Sequence, residues 1–210
     1  MELSDLRRDF GKQSLDETKM LNSPIDLFLS WLEEAKATLR SEFNAMVLST
    51  VGQMGTPSSR IVLLKEITDS GGMVFYSNYR SRKALDLKAN PNAALLFFWA
   101  PLERQVRIEG RIRKLSAEKS DKYFYSRPFE SQLSAIVSPQ SETVKELSVL
   151  NKKRKILIET PQNVKRPEYW GGYELQAEMF EFWQGGQHRM HDRIRYRLKE
   201  GNWRRDRLAP

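Results

Sequence analysis

AMVLSTV (residues 45–51), SSRIVLLKEI (58–67), MVFYS (73–77), AALLFFWA (93–100) and ERQVRIEGRIRKL (103–115) follow one another through the first half of the chain. Each run is short and rich in β-branched, aromatic and aliphatic residues, the composition of a strand. Gly- and Pro-bearing segments at 52–57, 70–72 and Asn-Pro-Asn at 90–92 separate them as turns. The pattern predicts an antiparallel sheet or barrel.

Upstream, Ser23-Pro24 supplies an N-cap and a first helical residue. Ile25, Phe28, Leu29, Leu32 and Ala35 then fall on one face, predicting an amphipathic helix to about Leu39. Further helices are expected at 84–89, 117–126, 131–137 and 141–157, the last capped by Ser141. A closing β region is expected at 173–183, 193–198 and 203–208, the last two joined as a hairpin through 199–202. The fold class is therefore mainly β with flanking helices (α+β). Residues 23–210 are read as one domain, preceded at 1–22 by a mobile arm or a short helix around Leu3–Phe10.

With 40% hydrophobic and 30% charged residues the chain is apolar enough to fold. The absence of cysteine removes disulfides, thiolate catalysis, Fe–S clusters and Cys-based zinc sites, and fits a reducing cytoplasm. The longest apolar run, 93–101, is well below the roughly 18 residues that span a bilayer, and the N-terminus has no apolar signal core, so no membrane partner is expected. The net charge of +8 favours anionic partners. Residues 183–210 alone hold eight Arg/Lys against three Asp/Glu. Neither G-x-G-x-x-G, a P-loop lysine motif nor a G-x-S-x-G elbow occurs, so an anion here must be held largely by side chains.

Four places could hold one. Arg60 and Lys65 bracket the apolar run 61–64 in RIVLLK; their odd separation points them to opposite faces of a regular strand, so they serve two anions, the strand bends, or they are ordinary strand-end cations. Ser81-Arg82-Lys83 precedes a helix and combines a hydroxyl, two cations and free backbone N–H groups, a set suited to phosphate but also common on plain surface. Tyr123, Arg127 and Ser131 would share one helical face if Pro128 did not interrupt it. FWQGGQHRMHDR (182–193) holds both histidines of the chain, His188 and His191, interleaved with Arg189 and Arg193, which would repel a divalent cation; no metal site is expected. Read by itself this segment is a basic ligand wall or a solvated turn.

Taken together, RIVLLK, FYSNYRSRK, LERQV, KYFYSRP, SQLSAIVSPQS, YWGG, FWQGGQHRMHDR and the terminal RLAP resemble, in order and spacing, the pyridoxine (pyridoxamine) 5′-phosphate oxidases, from about Leu6 to the end of the chain. The resemblance implies an FMN-binding split β-barrel acting as a homodimer, with FMN at the subunit interface. Carried over by residue, it implies FMN contacts at Arg60, Ile61, Val62, Leu63, Leu64, Lys65, Tyr76, Ser77, Arg82, Lys83, Gln105, Gln140, Ser141, Trp183 and Arg193, with the FMN phosphate among Arg60, Arg82 and Lys83. It implies that Lys65, Tyr123, Arg127 and Ser131 hold the substrate phosphate. Arg189 and His191 would face the pyridine ring as the catalytic pair, and Arg7 would add charge from the arm. The implied reaction converts pyridoxine or pyridoxamine 5′-phosphate to pyridoxal 5′-phosphate, with O2 as acceptor and hydrogen peroxide as product. Two phosphates account for the surplus cations without nucleic acid.

The sequence departs from the family's pattern at Phe10, where a tyrosine is common, so that position offers no hydroxyl; Met190 stands where leucine is usual. Two other readings remain open: a related flavoprotein such as a phenazine-biosynthesis oxidase, against which the full set Lys65, Tyr123, Arg127 and Ser131 argues, and a basic nucleic-acid-binding module using Tyr196, Trp203 and the C-terminal arginines.

Overall fold

The computed structural model describes Phe10, Gly11, Ser14, Leu15 and residues 20–210. Arg7 and most of the expected arm helix lie outside the described residues.

Helix α1 (Pro24–Leu39) starts as its sequence dictates: Ser23 Oγ accepts the Asp26 N–H at 3.2 Å, Pro24 opens the first turn, and Asp26 places negative charge at the positive end of the helix dipole. Its buried face carries Leu27, Phe28, Trp31, Leu32 and Ala35. Phe28 is fully buried, with ring centroids 5.1 Å from Phe97, 6.4 Å from Trp99 and 6.3 Å from Phe180, so α1 closes the core over the sheet.

Among the described residues the sheet has nine strands: β1 (Ala45–Val51), β2 (Pro57–Leu63), β3 (Glu66–Ile67), β4 (Met73–Asn78), β5 (Asn92–Trp99), β6 (Arg104–Lys114), β7 (Trp170–Gln184), β8 (Asp192–Lys199) and β9 (Asn202–Leu208). Their order is β2-β1-β5-β6-β7-β4-β3, with β8 and β9 added beside β7, and every pairing is antiparallel. β7 organises the sheet. One edge pairs with β6 along its length, while the other pairs with β4 through Trp170–Leu175 and then with β8 through Met179–Gln184. A bulge between Glu109 and Gly110 of β6 shifts the register and lets the long pair bend. Gly110 is required there, because a Cβ would lie 2.0 Å from the Gln176 carbonyl oxygen. The β8–β9 hairpin turns through Glu200 and Gly201, both at positive φ, which suits the twist of two strands.

Helices α2 (Arg82–Ala89), α3 (Ala117–Ser126), α4 (Phe129–Val137) and α5 (Leu147–Glu159) flank the sheet. A second small core of Phe124, Ala135 and Trp170 ties α3 and α4 to the start of β7. Among the described residues no helix is long and apolar enough to cross a membrane.

The structure corrects four boundaries. The run 58–67 is two strands, because Leu64 N–H still bonds the Asn44 carbonyl beside β1 while Lys65 N–H crosses to that of Val74 on β4, so the chain bends between Arg60 and Lys65. α2 begins two residues earlier than expected, at Arg82, and α4 at Phe129, directly after the Pro128 break. Ser141 does not cap α5. Its φ of +75° is incompatible with a helix start, Glu142 N–H bonds back to Pro139 O, and the helix begins only at Leu147.

Gly110→Ala is expected to destabilise the fold by about 1–3 kcal/mol, the scale of forced overpacking, measured by denaturant unfolding. An unchanged midpoint would show that β6 and β7 do not approach at this bulge.

Candidate functional site

A cavity of about 720 Å³ opens between β2, the ends of β4 and β7, the start of α2 and the α3–α4 junction. Among the described residues five cations line it, Arg60, Lys65, Arg82, Lys83 and Arg127, and no Asp or Glu does. Such an arrangement repels itself unless an anion enters.

The bend after Leu63 brings both Arg60 and Lys65 to this one cavity, which resolves their odd spacing locally. Ile61, Val62 and Leu63 join them on its wall; Leu64 does not, its side chain being 5% exposed and packed in the core. Lys83 is buried at the first turn of α2, with Nζ 3.2 Å from Ser77 Oγ, 3.3 Å from Ser81 Oγ and 3.1 Å from Gln140 Oε1. All three partners are neutral, so burial, and next the Arg60 charge, push Lys83 down to about 8. Burial also lowers Arg60, opposed by Asp86.

Opposite these cations lies an aromatic wall. Tyr76 stacks on Tyr123 at 3.7 Å and on Trp170 at 5.6 Å, with interplanar angles of 18° and 15°. Burial pushes the Tyr76 phenol up to about 12, so it stays protonated at neutral pH. Arg127 lies over the Trp170 ring at 4.6 Å, and its Nη1 is buried with no hydrogen-bond partner. A buried guanidinium nitrogen without an acceptor is costly, and the cavity it lines is where an acceptor fits. Although Pro128 interrupts the helix as read from sequence, Tyr123, Arg127 and Ser131 all reach this cavity, because α4 restarts at once. Gln140 and Ser141 complete the rim.

A second cluster stands apart. Gln105 and Trp183 are cross-strand neighbours on β6 and β7, and Trp183 pairs with Arg193 on β8. His191 packs 4.7 Å from Trp183, while its Nδ1 accepts the Gly186 N–H at 3.1 Å. Arg193 donates to Glu181 through Nε at 2.9 Å and to the Ala209 carbonyl through Nη1 at 2.9 Å. Arg189 is exposed, and both it and His188 have positive φ, 62° and 51°, an uncommon conformation for such residues. Phe10 lies edge-on to Trp183 at 5.7 Å and to His191 at 5.8 Å. Gln105, Trp183, Arg189, His191 and Arg193 do not line the cavity. Trp170 and Trp183 sit at opposite ends of β7, roughly 40 Å apart along the strand contour.

Sequence reasoning missed Ser58, Ser59 and Trp170 as lining residues. The YWGG segment signalled Trp170 weakly; Gly171 and Gly172 keep β7 thin here, since a Cβ on Gly172 would meet Leu115 at 2.5 Å. Ser58 and Ser59 carry no mark beyond adjacency to Arg60.

Residues 32–157 match the profile described as pyridoxamine 5′-phosphate oxidase, and residues 170–210 match one described as the pyridoxine 5′-phosphate oxidase C-terminal dimerisation region. Proteins named pyridoxine/pyridoxamine 5′-phosphate oxidase from Bordetella petrii and from Neisseria meningitidis serogroup B are 49% and 46% identical, in each case over 100% of both chains. The crystal structure of PhzG from Burkholderia lata 383, in complex with tetrahydrophenazine-1-carboxylic acid, superimposes with a TM-score of 0.89 at 27% identity, covering 95% of this chain and 99% of that one. A pyridoxamine 5′-phosphate oxidase-related, FMN-binding protein from Nostoc punctiforme shares the fold at a TM-score of 0.74 and 15% identity, covering 91% and 100%. With both profiles matched in order and nearly half of all residues shared end to end with such relatives, the chain belongs to the pyridoxamine 5′-phosphate oxidase family.

Proposed function

We propose that the cavity binds FMN beside pyridoxine or pyridoxamine 5′-phosphate, and that the enzyme oxidises either to pyridoxal 5′-phosphate in the cytoplasm, with O2 as acceptor and hydrogen peroxide as product. The observation that carries this reading is the five-cation cavity without a carboxylate, whose Arg127 Nη1 is buried and unpartnered. Its cations come from two sets of elements, matching two phosphates. Arg60, Arg82 and Lys83, from β2 and α2, would hold the FMN phosphate; Lys65, Tyr123, Arg127 and Ser131 would hold that of the substrate. Ile61–Leu63 and Tyr76 offer surface to the flavin ring, and Ser77, Gln140 and Ser141 offer polar groups.

The site is completed by a second copy. Ile61 is 70% exposed, Leu63 41% and Phe98 58%, an apolar strip on the outer face of the sheet that borders the cavity. Docking a twofold-related copy on this face would cover it and bring the partner's Gln105, Trp183, Arg189, His191 and Arg193 to the flavin, which no single chain can do across the length of β7. FMN would then lie at the interface of a homodimer.

The chemistry that FMN supplies when bound is hydride acceptance from the C4′ carbon of the substrate and reoxidation by O2. The protein's own groups orient and polarise. His191 Nδ1 accepts from Gly186 N–H, so the neutral ring carries its proton on Nε2 and presents a donor to the substrate. Arg189 would hold the pyridine ring against the flavin, and Tyr76, protonated at working pH, remains a neutral donor. The likeness to PhzG does not favour its chemistry here, since the complete phosphate cup has no use in a substrate without phosphate.

The purified protein is expected to be yellow and to release FMN on denaturation; a colourless protein that cannot be reconstituted with FMN, yet binds DNA with steep salt dependence, would overturn the reading. Arg127→Ala should lower kcat/KM for pyridoxine 5′-phosphate by about 10- to 100-fold, the worth of a hydrogen bond to a charged group, with FMN retained. Unchanged kcat/KM would remove Arg127 from the site.

Lys83 sets a pH dependence. In the flavin-free protein it is charged below about 8 and loses its proton as pH rises through that value. FMN affinity should be flat below about pH 7 and fall above 8, approaching tenfold per unit. Folding responds with the opposite sign: the unfolded lysine binds its proton up to about 10.5, so between 8 and 10.5 stability rises with pH on this group's account. FMN titrations from pH 6.5 to 9.5 check this, and a flat profile would remove Lys83 from the phosphate site.

A further inference from the structure

Asp86 sits one turn into α2, behind the cavity wall, and does not line the cavity. Its Oδ2 accepts from Thr50 Oγ1 at 2.7 Å and from Ser58 Oγ at 3.0 Å, and lies 3.8 Å from Arg60 Nη2. Its side chain is 12% exposed, and Thr50 is fully buried. On the near side of the two hydroxyls stands Arg60, whose Nη1 donates to Thr50 Oγ1 at 2.8 Å and to the Leu48 carbonyl at 3.0 Å, and whose Nη2 donates to Ser58 Oγ.

The direction of each bond follows from donor counting. An ionised carboxylate only accepts, so the single proton of each hydroxyl points to Asp86 and the hydroxyl lone pairs point to Arg60. Of the five guanidinium N–H groups, three are then committed to the protein. Nε–H and one Nη2–H remain, two donors able to meet two oxygens of one phosphate. Gly52 leaves room for the carboxylate, since a Cβ there would lie 3.1 Å from Asp86 Oδ1.

We infer that Asp86 is a positioning residue for the FMN phosphate: through Thr50 and Ser58 it locks the Arg60 guanidinium with its free donors turned to the cavity. This rests on the FMN reading above. Charge alone argues for the reverse effect, because a carboxylate behind the wall repels an anion in front of it. The sign of the response to its removal therefore separates orientation from simple electrostatics.

The test compares FMN with riboflavin, which lacks the phosphate, by quenching of flavin fluorescence on the full-length protein freed of flavin. Asp86→Asn should weaken FMN binding about tenfold and leave riboflavin within about twofold, a distinction that loss of fold would not make. Ser58→Ala, which breaks one arm of the relay and leaves the carboxylate, should weaken FMN about threefold with riboflavin again unmoved. In an Arg60→Ala background, Asp86→Asn should no longer weaken FMN. Tighter or unchanged FMN binding in Asp86→Asn, an equal loss for both flavins, or a loss that persists without Arg60 would overturn the assignment. A parent protein that bound neither flavin would overturn the cofactor reading and this inference with it, whereas a parent that binds FMN beside an unaffected Asp86→Asn overturns this inference alone.

Discussion

β7 is paired on both edges for most of its fifteen residues, and the placement of both candidate clusters follows from that constraint. Its first half fixes β4, and with it Tyr76 and Ser77, while delivering Trp170 to the cavity wall. Its second half fixes β8, and with it Arg193, while delivering Trp183. Because β6 runs along the other edge from Tyr173 to Gln184, spanning both halves, neither half can move alone without breaking ladder hydrogen bonds. The bulge at Glu109/Gly110 is where the two halves are allowed to differ in direction. A strand of this length separates its two functional ends, so the architecture itself calls for a second copy if both ends are to act on one ligand.

Much of this was legible in the sequence because local signals and tertiary needs agree. In β6 the alternation of Val106, Ile108 and Ile112 with polar or charged neighbours marks one face for the core, and Ser23-Pro24 caps α1 as its chemistry requires. The failures fall where tertiary structure overrides local preference. Ser141 is a sound N-cap by type, yet it takes φ of +75° at the cavity rim and the helix waits six residues. The run 58–67 reads as one strand, but Leu64 N–H still bonds Asn44 while Lys65 N–H crosses to Val74, and the strand breaks there. Leu64, grouped with its neighbours by sequence, turns into the core at that break.

The site was legible in its charges and not in its supports. Arg60, Lys65, Arg82, Lys83 and Arg127 could be picked out because cations beside apolar runs are chemically conspicuous. Trp170, Thr50 and Asp86 could not, since an aromatic, a buried threonine and a helical aspartate are ordinary in a sequence and acquire meaning only from what they face. Sequence also gives no sign that Gln105, Trp183, Arg189, His191 and Arg193 form a separate group, because contour length matters only once β7 is known to be a single strand.

Charge of one sign, held partly out of water, makes the cavity an unfavourable feature of the fold. Lys83 is buried against neutral partners and titrates near 8, and Arg127 keeps a buried nitrogen without an acceptor. Each lowers the stability of the free chain relative to one with apolar residues in their place. A bound anion reverses both terms, supplying the missing acceptor and raising the affinity of Lys83 for its proton. Ligand binding and folding are thereby coupled through the same few side chains, with a stabilisation that grows as RT ln(1 + [L]/Kd). The apolar strip of Ile61, Leu63 and Phe98 has the same character, since it holds apolar surface in contact with water. In the proposed homodimer, cofactor and second subunit would relieve adjoining defects on one side of the sheet.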